Sequence, residues 1–223
     1  MQLEHEIDML IDSLLELSKA LSPYVVGAEG NISGRMSHDK FLIKASGECF
    51  SDVDENSFVE CDLSGRKTCN STKIPSIESP IHAWLYDNFN VNFIAHTHPM
   101  NTLKILCSNE IDKFSKTRLF PDQVVFNGSK SYVVDYDTPG VDLLEKMKST
   151  LGNVDFPRVI LLQNHGIFVM GRTIRDCIVG TQICEKSAEI YLGAKLLGLR
   201  ALSNENISQI ENNKIENYRR NLP

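Results

Sequence analysis

The stretch RVILLQNHGIFVMG, residues 158–171, limits the possible folds of this chain more than any other part of its sequence. It is an almost continuous run of apolar residues, many of them β-branched, and one polar break, Asn164-His165-Gly166, divides it. Buried strands have this composition, whereas the break is incompatible with one continuous helix. We therefore predict two buried strands that flank a tight turn.

Helix and strand patterns follow in an irregular order along the rest of the chain. We predict helices over residues 3–21, 76–89, 100–108, 141–152 and 173–199, and a second polar helix over 207–221. Further strands are predicted as a hairpin over 29–48, a strand, Ser-Gly turn and strand over 57–70, and single strands over 91–98 and 131–136. Because there is neither a repeat nor a regular βαβ alternation, we expect an α/β fold with a mixed, largely antiparallel sheet that helices cover.

Composition limits the number of domains and the kinds of partner that we expect. The 223 residues suffice for one sizeable core and no Pro/Gly/Ser-rich linker divides them, so we expect a single domain over 1–223. The net charge of -6, with 23 basic and 29 acidic residues interspersed, argues against a nucleic-acid partner. The amphipathic, acid-containing N-terminus resembles neither a membrane segment nor a signal peptide. Six cysteines without a CxxC pair indicate a reduced, cytoplasmic protein.

Two histidines separated by one threonine stand in the stretch FIAHTHPM, residues 93–100. The strand predicted over 91–98 places His96 and His98 on the same face, because side chains alternate along a strand, and Pro99 ends that strand. Two imidazoles at a strand end can share one cation, but two ligands rarely suffice. A third ligand must come from elsewhere; without it, an ordinary pair of satisfied histidines is the alternative interpretation.

His165 is the candidate for that third ligand, because it lies in the only polar break of the apolar run. Gly166 beside it allows the backbone to turn sharply enough to direct the ring. The alternative is a neutral core histidine bonded to a backbone carbonyl. Together with the two strand histidines, His165 would complete a set of three imidazoles, which is the donor set of an open catalytic zinc site.

Five short motifs, EGNISGR, IKASG, PSIESPIH, HTHP and QNHG, follow one another along the chain. In their order and spacing they resemble the class II aldolase/adducin family, typified by L-fuculose-1-phosphate aldolase. The resemblance runs from about Gly27 to the end of the chain. It implies a three-layer α/β/α sandwich with a mixed, mostly antiparallel central sheet, and a homotetramer with active sites at subunit interfaces.

The resemblance also implies roles for individual residues. His96, His98 and His165 match the family's zinc-binding histidines, which implies one Zn²⁺ per chain. Glu78 matches the acid that acts as a base in the aldolases and is a potential ligand of the resting metal. Four residues match positions that bind the substrate phosphate: Asn31, Ser46, Gly47 and Ser76.

Several of these residues also have local surroundings that suit the implied roles. Glu78 begins a predicted helix, where the helix dipole favours a carboxylate, although an ordinary first-turn acid has the same pattern. Asn31 and Ser46 belong to Gly-containing loops whose amides can form an anion nest, although such loops are often plain turns. Lys44 would strengthen an anion site if it points inward, and the alternation leaves its side open. His82, one helical turn after Glu78, could form a metal-binding pair with it, but we expect it to pack or bond behind the site.

The chain departs from the family pattern at two places. Ile77 stands where the fuculose enzyme has a second phosphate-binding serine. A family tyrosine contributed across the interface would fall near RLFPDQVVF, where Phe120 and Asp122 stand and no tyrosine occurs. Another family tyrosine, near the C-terminus, protonates the departing aldehyde, and Tyr218 is its candidate here. An aromatic residue that packs a terminal amphipathic helix is the alternative interpretation of Tyr218.

Three classes of function remain open from the sequence. The first is a zinc-dependent aldolase that cleaves or forms a carbon-carbon bond in a small sugar phosphate through a metal-stabilised enediolate. The second uses the same metal in an epimerase, a decarboxylase or a dehydratase of the family. The third is an adducin-like binding module without catalytic chemistry, against which the retained histidines and Glu78 argue.

Overall fold

Residues 2–220 are described by the computed structural model, and within this range seven strands form one sheet. The strands are β1 Asn31–Arg35, β2 Lys40–Lys44, β3 Phe58–Asp62, β4 Phe93–Thr97, β5 Tyr132–Val134, β6 Val159–Leu162 and β7 Ile167–Gly171. Their order across the sheet is β3-β2-β1-β4-β7-β6-β5. Only β5 and β6 pair in parallel among the described neighbours. The predicted mixed, mostly antiparallel sheet is therefore confirmed.

Helices cover both faces of this sheet. They are α1 Gln2–Leu21, α2 Ser79–Asn88, α3 Met100–Leu106, α4 Ile111–Lys116, α5 Pro121–Asn127, α6 Val141–Leu151, α7 Ile174–Leu197, α8 Asn204–Glu211 and α9 Lys214–Arg220, with 3₁₀ turns at Ser22–Tyr24 and Glu55–Ser57. Helices α2 and α6 pack on one face, and α1, α3, α4 and α7 pack on the other. This arrangement is the expected three-layer α/β/α sandwich.

The apolar run at 158–171 forms the hairpin of β6 and β7, as predicted. Its side chains alternate between the two faces, and both faces are buried. Four of them join the core under α2 and α6: Ile160, Leu162, Phe168 and Met170. Four others join the core under α7: Val159, Leu161, Ile167 and Val169. The run lacks polar alternation because helices cover the hairpin on both sides.

The two longest helices, α1 and α7, form where they are predicted, over 3–21 and 173–199. Helix α1 buries Leu14, Leu17 and Leu21 completely, and each such side chain contributes roughly 1.5–3 kcal/mol to stability. Helix α7 begins after Thr173, whose hydroxyl accepts from the backbone amide of Asp176 in a reciprocal capping box. Both predicted helices are confirmed.

Two predicted elements, the C-terminal helix and the second strand within 57–70, are wrong. The C-terminal helix predicted over 207–221 is broken into α8 and α9, because Asn213 Oδ1 accepts from the backbone amides of Ile215 and Glu216 and so begins a new helix. The second strand predicted within 57–70 does not form. Asp62 instead accepts from the amides of Ser64 and Arg66 in a tight loop, and only an isolated bridge between Cys61 and Lys67 follows.

The helix predicted from Ser76 begins three residues later, at Ser79. Glu78 occupies the N-cap position, but its side chain makes no capping bond. The carboxylate is instead turned towards the sheet, where the site described below lies.

None of the described helices combines the length and the apolar composition that a membrane-spanning segment needs.

Candidate active site

A cavity of about 190 Å³ lies at the ends of several inner strands of the sheet. The start of β1, the ends of β2 and β4, and the turn between β6 and β7 meet there, because antiparallel pairing places Asn31 beside His96 and Thr97 beside Ile167. Residues 76–78, which lie just before α2, also line the cavity. Strand ends from distant parts of the sequence therefore converge on one small volume.

The three predicted histidines lie together in this cavity. Potential ligand atoms of His96, His98 and His165 all lie within 4.8 Å of one another. The two strand histidines approach closely, with 3.0 Å between their Nε2 atoms. His96 is completely buried, and His98 and His165 are each 14% exposed. The structure thus brings together the residues that two separate motifs suggested.

The contacts of Nδ1 indicate which ring nitrogen of each strand histidine carries the proton and which carries a lone pair. His96 Nδ1 lies 3.0 Å from the carbonyl oxygen of Ile167 and therefore donates its proton there. His98 Nδ1 lies 3.1 Å from Oε2 of Glu29, and this carboxylate favours a proton on that nitrogen. Both Nε2 lone pairs consequently point into the cavity. Burial lowers the pKa of His96 well below its usual value and lowers that of His165 to about 4, so both rings are neutral at pH 7.

Glu78 brings a carboxylate to the same point. Its Oε2 lies 3.2 Å from Nε2 of His96, and its Oε1 lies 3.6 Å from Nε2 of His165. The side chain is almost fully buried, which raises the pKa of Glu78 to about 7, while the hydrogen bond from Asn31 opposes this rise. Oε1 of Glu78 and Nδ1 of His165 have no hydrogen-bond partner among the described residues.

These contacts fit a divalent cation. The Nε2 lone pairs of His96 and His98 face each other, and a carboxylate oxygen of Glu78 faces the same point, so bare acceptors would repel one another. A cation between them would turn this repulsion into attraction. Three imidazoles with one adjoining carboxylate form a donor set suited to zinc and related metals.

Gly166 is required where His165 is presented. A Cβ atom at this position would lie 2.3 Å from Cδ2 of His98 and 2.7 Å from the carbonyl oxygen of Thr97. Asn164, which precedes His165, has a positive φ of 54°. The turn can therefore bring His165 against His98 only because residue 166 has no side chain.

Asn31 lines the cavity, but its side chain is buried and bonded within the chain. Its Nδ2 donates to Oε2 of Glu78 at 2.8 Å and lies 3.0 Å from Oγ of Ser76, and its Oδ1 lies 2.5 Å from Nε2 of His82. The carboxamide is thus fully engaged within the chain. The prediction that Asn31 binds the anion stays a prediction, and a direct side-chain contact would require one of these bonds to open.

Ser46, Gly47 and Ser76 line the same cavity. Ser46 is exposed and its backbone amide donates to the carbonyl of Ile74 at 2.8 Å. Gly47 has a φ of +84°, and a Cβ there would meet open space. Ser76 is nearly buried and its hydroxyl proton can point into the cavity while Oγ accepts from Asn31.

Lys44 points inward, which answers the question that strand alternation left open. The side chain is 1% exposed and lines the cavity. Its Nζ donates to the carbonyl oxygen of Glu48 and lies 3.5 Å from that of Ala28. Burial lowers its pKa. Lys44 therefore ties together the two loops that border the anion side of the cavity.

Tyr218 does not join this cavity within the described chain. It is 68% exposed on α9, and it is not among the residues that line the cavity. The neighbouring Arg219 binds Asp122 of α5 at 3.0 Å, which holds α9 against α5. Ile77, at the place of the missing serine, is 67% exposed at the rim of the cavity.

Glu29 is the site residue that sequence reasoning missed. Besides contacting His98, it accepts from the backbone amide of Val26 at 2.7 Å through Oε1 and so holds its own loop. It belongs to the EGNISGR motif, but no periodic pattern links a loop carboxylate to a histidine on another segment. Its proximity to HTHP became visible only in the folded chain.

Comparisons with known proteins agree with this geometry. The family model described as the class II aldolase and adducin N-terminal domain matches residues 16–192. A protein named L-fuculose phosphate aldolase from Methanocaldococcus jannaschii is 28% identical over 171 residues, which cover 76% of this chain and 87% of that protein. A protein named 3-oxo-tetronate 4-phosphate decarboxylase from Haemophilus influenzae is 25% identical over 191 residues, which cover 85% of this chain and 89% of that protein.

A solved structure shows the same fold. The crystal structure of YgbL from Klebsiella pneumoniae superimposes with a TM-score of 0.81 at 23% sequence identity, and the match covers 92% of this chain and 98% of YgbL. At this identity the likeness concerns the fold and not the substrate.

Proposed function

Since the chain belongs to the class II aldolase and adducin family, we propose that it is a metal-dependent enzyme, and specifically a zinc-dependent aldolase that acts on a small sugar phosphate. One observation carries the proposal: the Nε2 lone pairs of His96 and His98 and an oxygen of Glu78 converge on one point beside His165. An adducin-like module without chemistry has no need of such a set.

The proposed metal site consists of His96, His98 and His165, with Glu29 and the carbonyl of Ile167 holding two of the rings in the tautomer that leaves Nε2 free. When bound, a zinc ion would supply Lewis-acid stabilisation of the negative charge that develops on the substrate oxygens. The burial of His96 and Glu78 excludes water from this point, which strengthens every electrostatic interaction there.

Glu78 is proposed to move the proton on the carbon next to the substrate carbonyl. Burial brings its pKa to about 7, so the carboxylate can both accept and return a proton near neutral pH. Oε2 is bound by Asn31, whereas Oε1 has no hydrogen-bond partner among the described residues and lies 3.6 Å from Nε2 of His165. Oε1 is therefore the oxygen that we assign to proton transfer.

The substrate phosphate is proposed to lie against Ser46, Gly47 and Ser76. Their loops offer hydroxyl and amide donors, and Lys44 places a positive charge behind the loops. The exposure of this side of the cavity suits the remote, charged end of a substrate. A bond there contributes to binding and leaves the chemical step to the buried half.

A decarboxylase is the second candidate, because the alignment with the decarboxylase named above extends over more of this chain than the alignment with the aldolase does. Loss of carbon dioxide from an oxo acid phosphate develops the same negative charge beside a carbonyl, so the same metal site would serve it. Epimerase and dehydratase chemistry start from that charge as well and stay alternatives.

Product analysis separates these reactions. Zinc-loaded protein would be incubated with dihydroxyacetone phosphate and a panel of small aldehydes, and separately with a 3-oxo acid phosphate, with metal-stripped protein as the control. We expect a new carbon-carbon bond in the first mixture. Release of carbon dioxide in the second mixture alone would identify the decarboxylase, and no turnover of any substrate by metal-loaded protein would contradict an enzymatic role.

We further propose a cytoplasmic, single-domain protein that assembles as a homotetramer with active sites at subunit interfaces. The exposed apolar side chains Val26, Ile74 and Ile77 lie on the loops around the cavity, where a second copy could cover them. Tyr218 would then reach a site only from another subunit. Light scattering tests the assembly, and Tyr218→Phe tests the residue: we expect lower aldehyde turnover with unchanged metal content.

A further inference from the structure

Behind Glu78 lies a row of buried polar side chains that the proposed reaction does not use directly. From Glu78 inward they are Asn31, His82, Ser33 and Tyr86, which we call the buried network. His82 Nε2 lies 2.5 Å from Oδ1 of Asn31, and His82 Nδ1 lies 2.6 Å from Oγ of Ser33. Oγ of Ser33 lies 2.7 Å from the hydroxyl of Tyr86. His82 and Ser33 are completely buried.

Two rigid elements present these side chains to each other. Asn31 and Ser33 alternate along β1 and therefore project from the same face of the sheet. Glu78, His82 and Tyr86 follow one another at intervals of four residues on one side of α2, starting from its N-cap. The buried network therefore runs along the interface between α2 and β1 and ends at the carboxylate.

The direction of each hydrogen bond follows from the chemistry of the groups. An ionised Glu78 can only accept, so Asn31 must turn its amide nitrogen towards Glu78 and its oxygen towards His82. His82 must then donate from Nε2, which leaves a lone pair on Nδ1 for the hydroxyl proton of Ser33. Ser33 in turn accepts from Tyr86. Every donor thus points towards Glu78.

Apolar and aromatic groups enclose the buried network. The ring of Phe168 meets His82 edge-on with 5.5 Å between centroids, and Phe41 packs on Tyr86 at 5.2 Å. The guanidinium of Arg35 lies 4.8 Å from the centroid of the Tyr86 ring. Burial lowers the pKa of His82 to about 3, so the ring stays neutral, with one nitrogen as donor and the other as acceptor.

We propose that His82 is a positioning residue: it acts through Asn31 to hold Oε2 of Glu78 and thereby leaves Oε1 as the proton-accepting oxygen. An asparagine amide has two orientations of nearly equal shape, and the reversed one would direct its oxygen at the carboxylate. The Nε2 proton of His82 selects the productive orientation. This inference rests on the proposed role of Glu78 as the base.

Two substitutions at one position separate positioning from mere packing. In His82→Gln the side-chain amide reaches the place of Nε2 and can still donate to Asn31. In His82→Asn the shorter amide reaches the place of Nδ1 and serves Ser33 only. We expect His82→Asn to lower kcat for exchange of a carbon-bound proton of dihydroxyacetone phosphate in D2O by about 100-fold with little change in KM. His82→Gln should stay within a few-fold of the parent.

A matched control removes a buried hydroxyl elsewhere. Tyr191 is completely buried and donates to Glu110 at 2.8 Å, outside the buried network. Tyr191→Phe should leave kcat unchanged, whereas Tyr86→Phe should lower it several-fold. Equal kcat values for His82→Gln and His82→Asn, with equal thermal stability, would overturn the positioning role.

A structural readout tests the inference even if the protein proves not to act on this substrate. In crystal structures of the metal-free variants, the bond between Asn31 and Oε2 of Glu78 should persist in His82→Gln and be lost in His82→Asn. In the parent, ¹⁵N NMR of His82 should show a neutral ring protonated at Nε2. A proton on Nδ1, or an unchanged Glu78 in His82→Asn, would contradict the proposal; absence of proton exchange in the parent alone would contradict only the proposed function.

Discussion

The two halves of the cavity are built in different ways. His96 and His165 stand at the end of a paired strand and in a tight hairpin turn, and neighbouring strands and helices bury the backbone around them. Ser46 and Gly47 stand on an exposed loop that follows β2 and is held by single backbone bonds and by Lys44. The metal half is therefore rigid, whereas the anion half can change without disturbing the core.

Substitutions in the two halves should therefore have different effects. A substitution in the rigid half removes a group that chemistry needs at one place, and no neighbour can replace it. A substitution in the loop half removes one of several donors to a remote group, and the loss is confined to binding.

Removal of all three imidazoles should have the largest effect. We expect the triple variant His96→Ala, His98→Ala, His165→Ala to lose bound zinc and all activity but to remain folded, because the apolar core lies on both sides of the sheet and does not include these residues. Elemental analysis and far-UV circular dichroism measure the two properties. His38→Ala, at an exposed histidine, is the control. Full zinc content in the triple variant would refute the metal site.

Replacement of Glu78 by Gln should separate chemistry from metal binding. Gln keeps the size of the side chain but cannot accept the proton, so turnover should fall roughly 10²- to 10⁴-fold while zinc is retained. The partial reaction isolates the step: parent protein with dihydroxyacetone phosphate in D2O should exchange one carbon-bound proton, and Glu78→Gln should do so far more slowly. Equal exchange rates would remove Glu78 from the mechanism.

Glu29 links the two halves, since it sits on a loop and holds a metal-site histidine. Glu29→Gln weakens the acceptor for His98 Nδ1, and we expect the affinity for zinc to fall roughly 10- to 100-fold, as is usual when such partners are changed. Competition with a chelating dye measures this affinity. Glu60→Gln, at an acid paired with Lys40 far from the histidines, should bind zinc like the parent. An unchanged affinity in Glu29→Gln would show that His98 needs no such partner.

Ser46→Ala should have the smallest effect. Loss of one hydroxyl donor to a charged group should raise KM for a phosphorylated substrate about tenfold and leave kcat unchanged. Steady-state kinetics separates the two constants, with the nearby exposed Ser51→Ala as the control. A large fall in kcat with constant KM would mean that the loop takes part in the chemistry and that the contrast between the halves is wrong.

Individual residues show how far sequence reasoning reaches. Strand alternation placed His96 and His98 on one side, and the polar break in an apolar run singled out His165; the structure brings all three together. Gly166 was expected to permit a sharp turn, but its stronger reason is the ring of His98 against it. Asn31 was assigned by resemblance to the substrate anion, yet its amide is engaged with Glu78, Ser76 and His82.

Residues without a periodic environment escaped prediction. Glu29 is far from His98 along the chain and lies on a loop, where the side-chain direction follows no regular interval. The side of Lys44 stayed undecided because it stands at the last position of β2, where both the strand and the loop influence its direction. The short helices α4 and α5, within 111–127, contain too few turns to show a clear apolar stripe.

Local sequence patterns were enough to predict the α/β class, the buried hairpin at 158–171, the long helices and the three candidate metal ligands. These features follow from local periodicity, because helix and strand geometry repeat over a few residues and burial imprints that repeat on composition. The folded chain was needed to find which nitrogen of His96 and of His98 is free, that Glu29 contacts His98, and that His82 bonds Asn31 behind Glu78. The direction of a hydrogen bond depends on which donors and acceptors meet from distant segments, and no local pattern records that meeting.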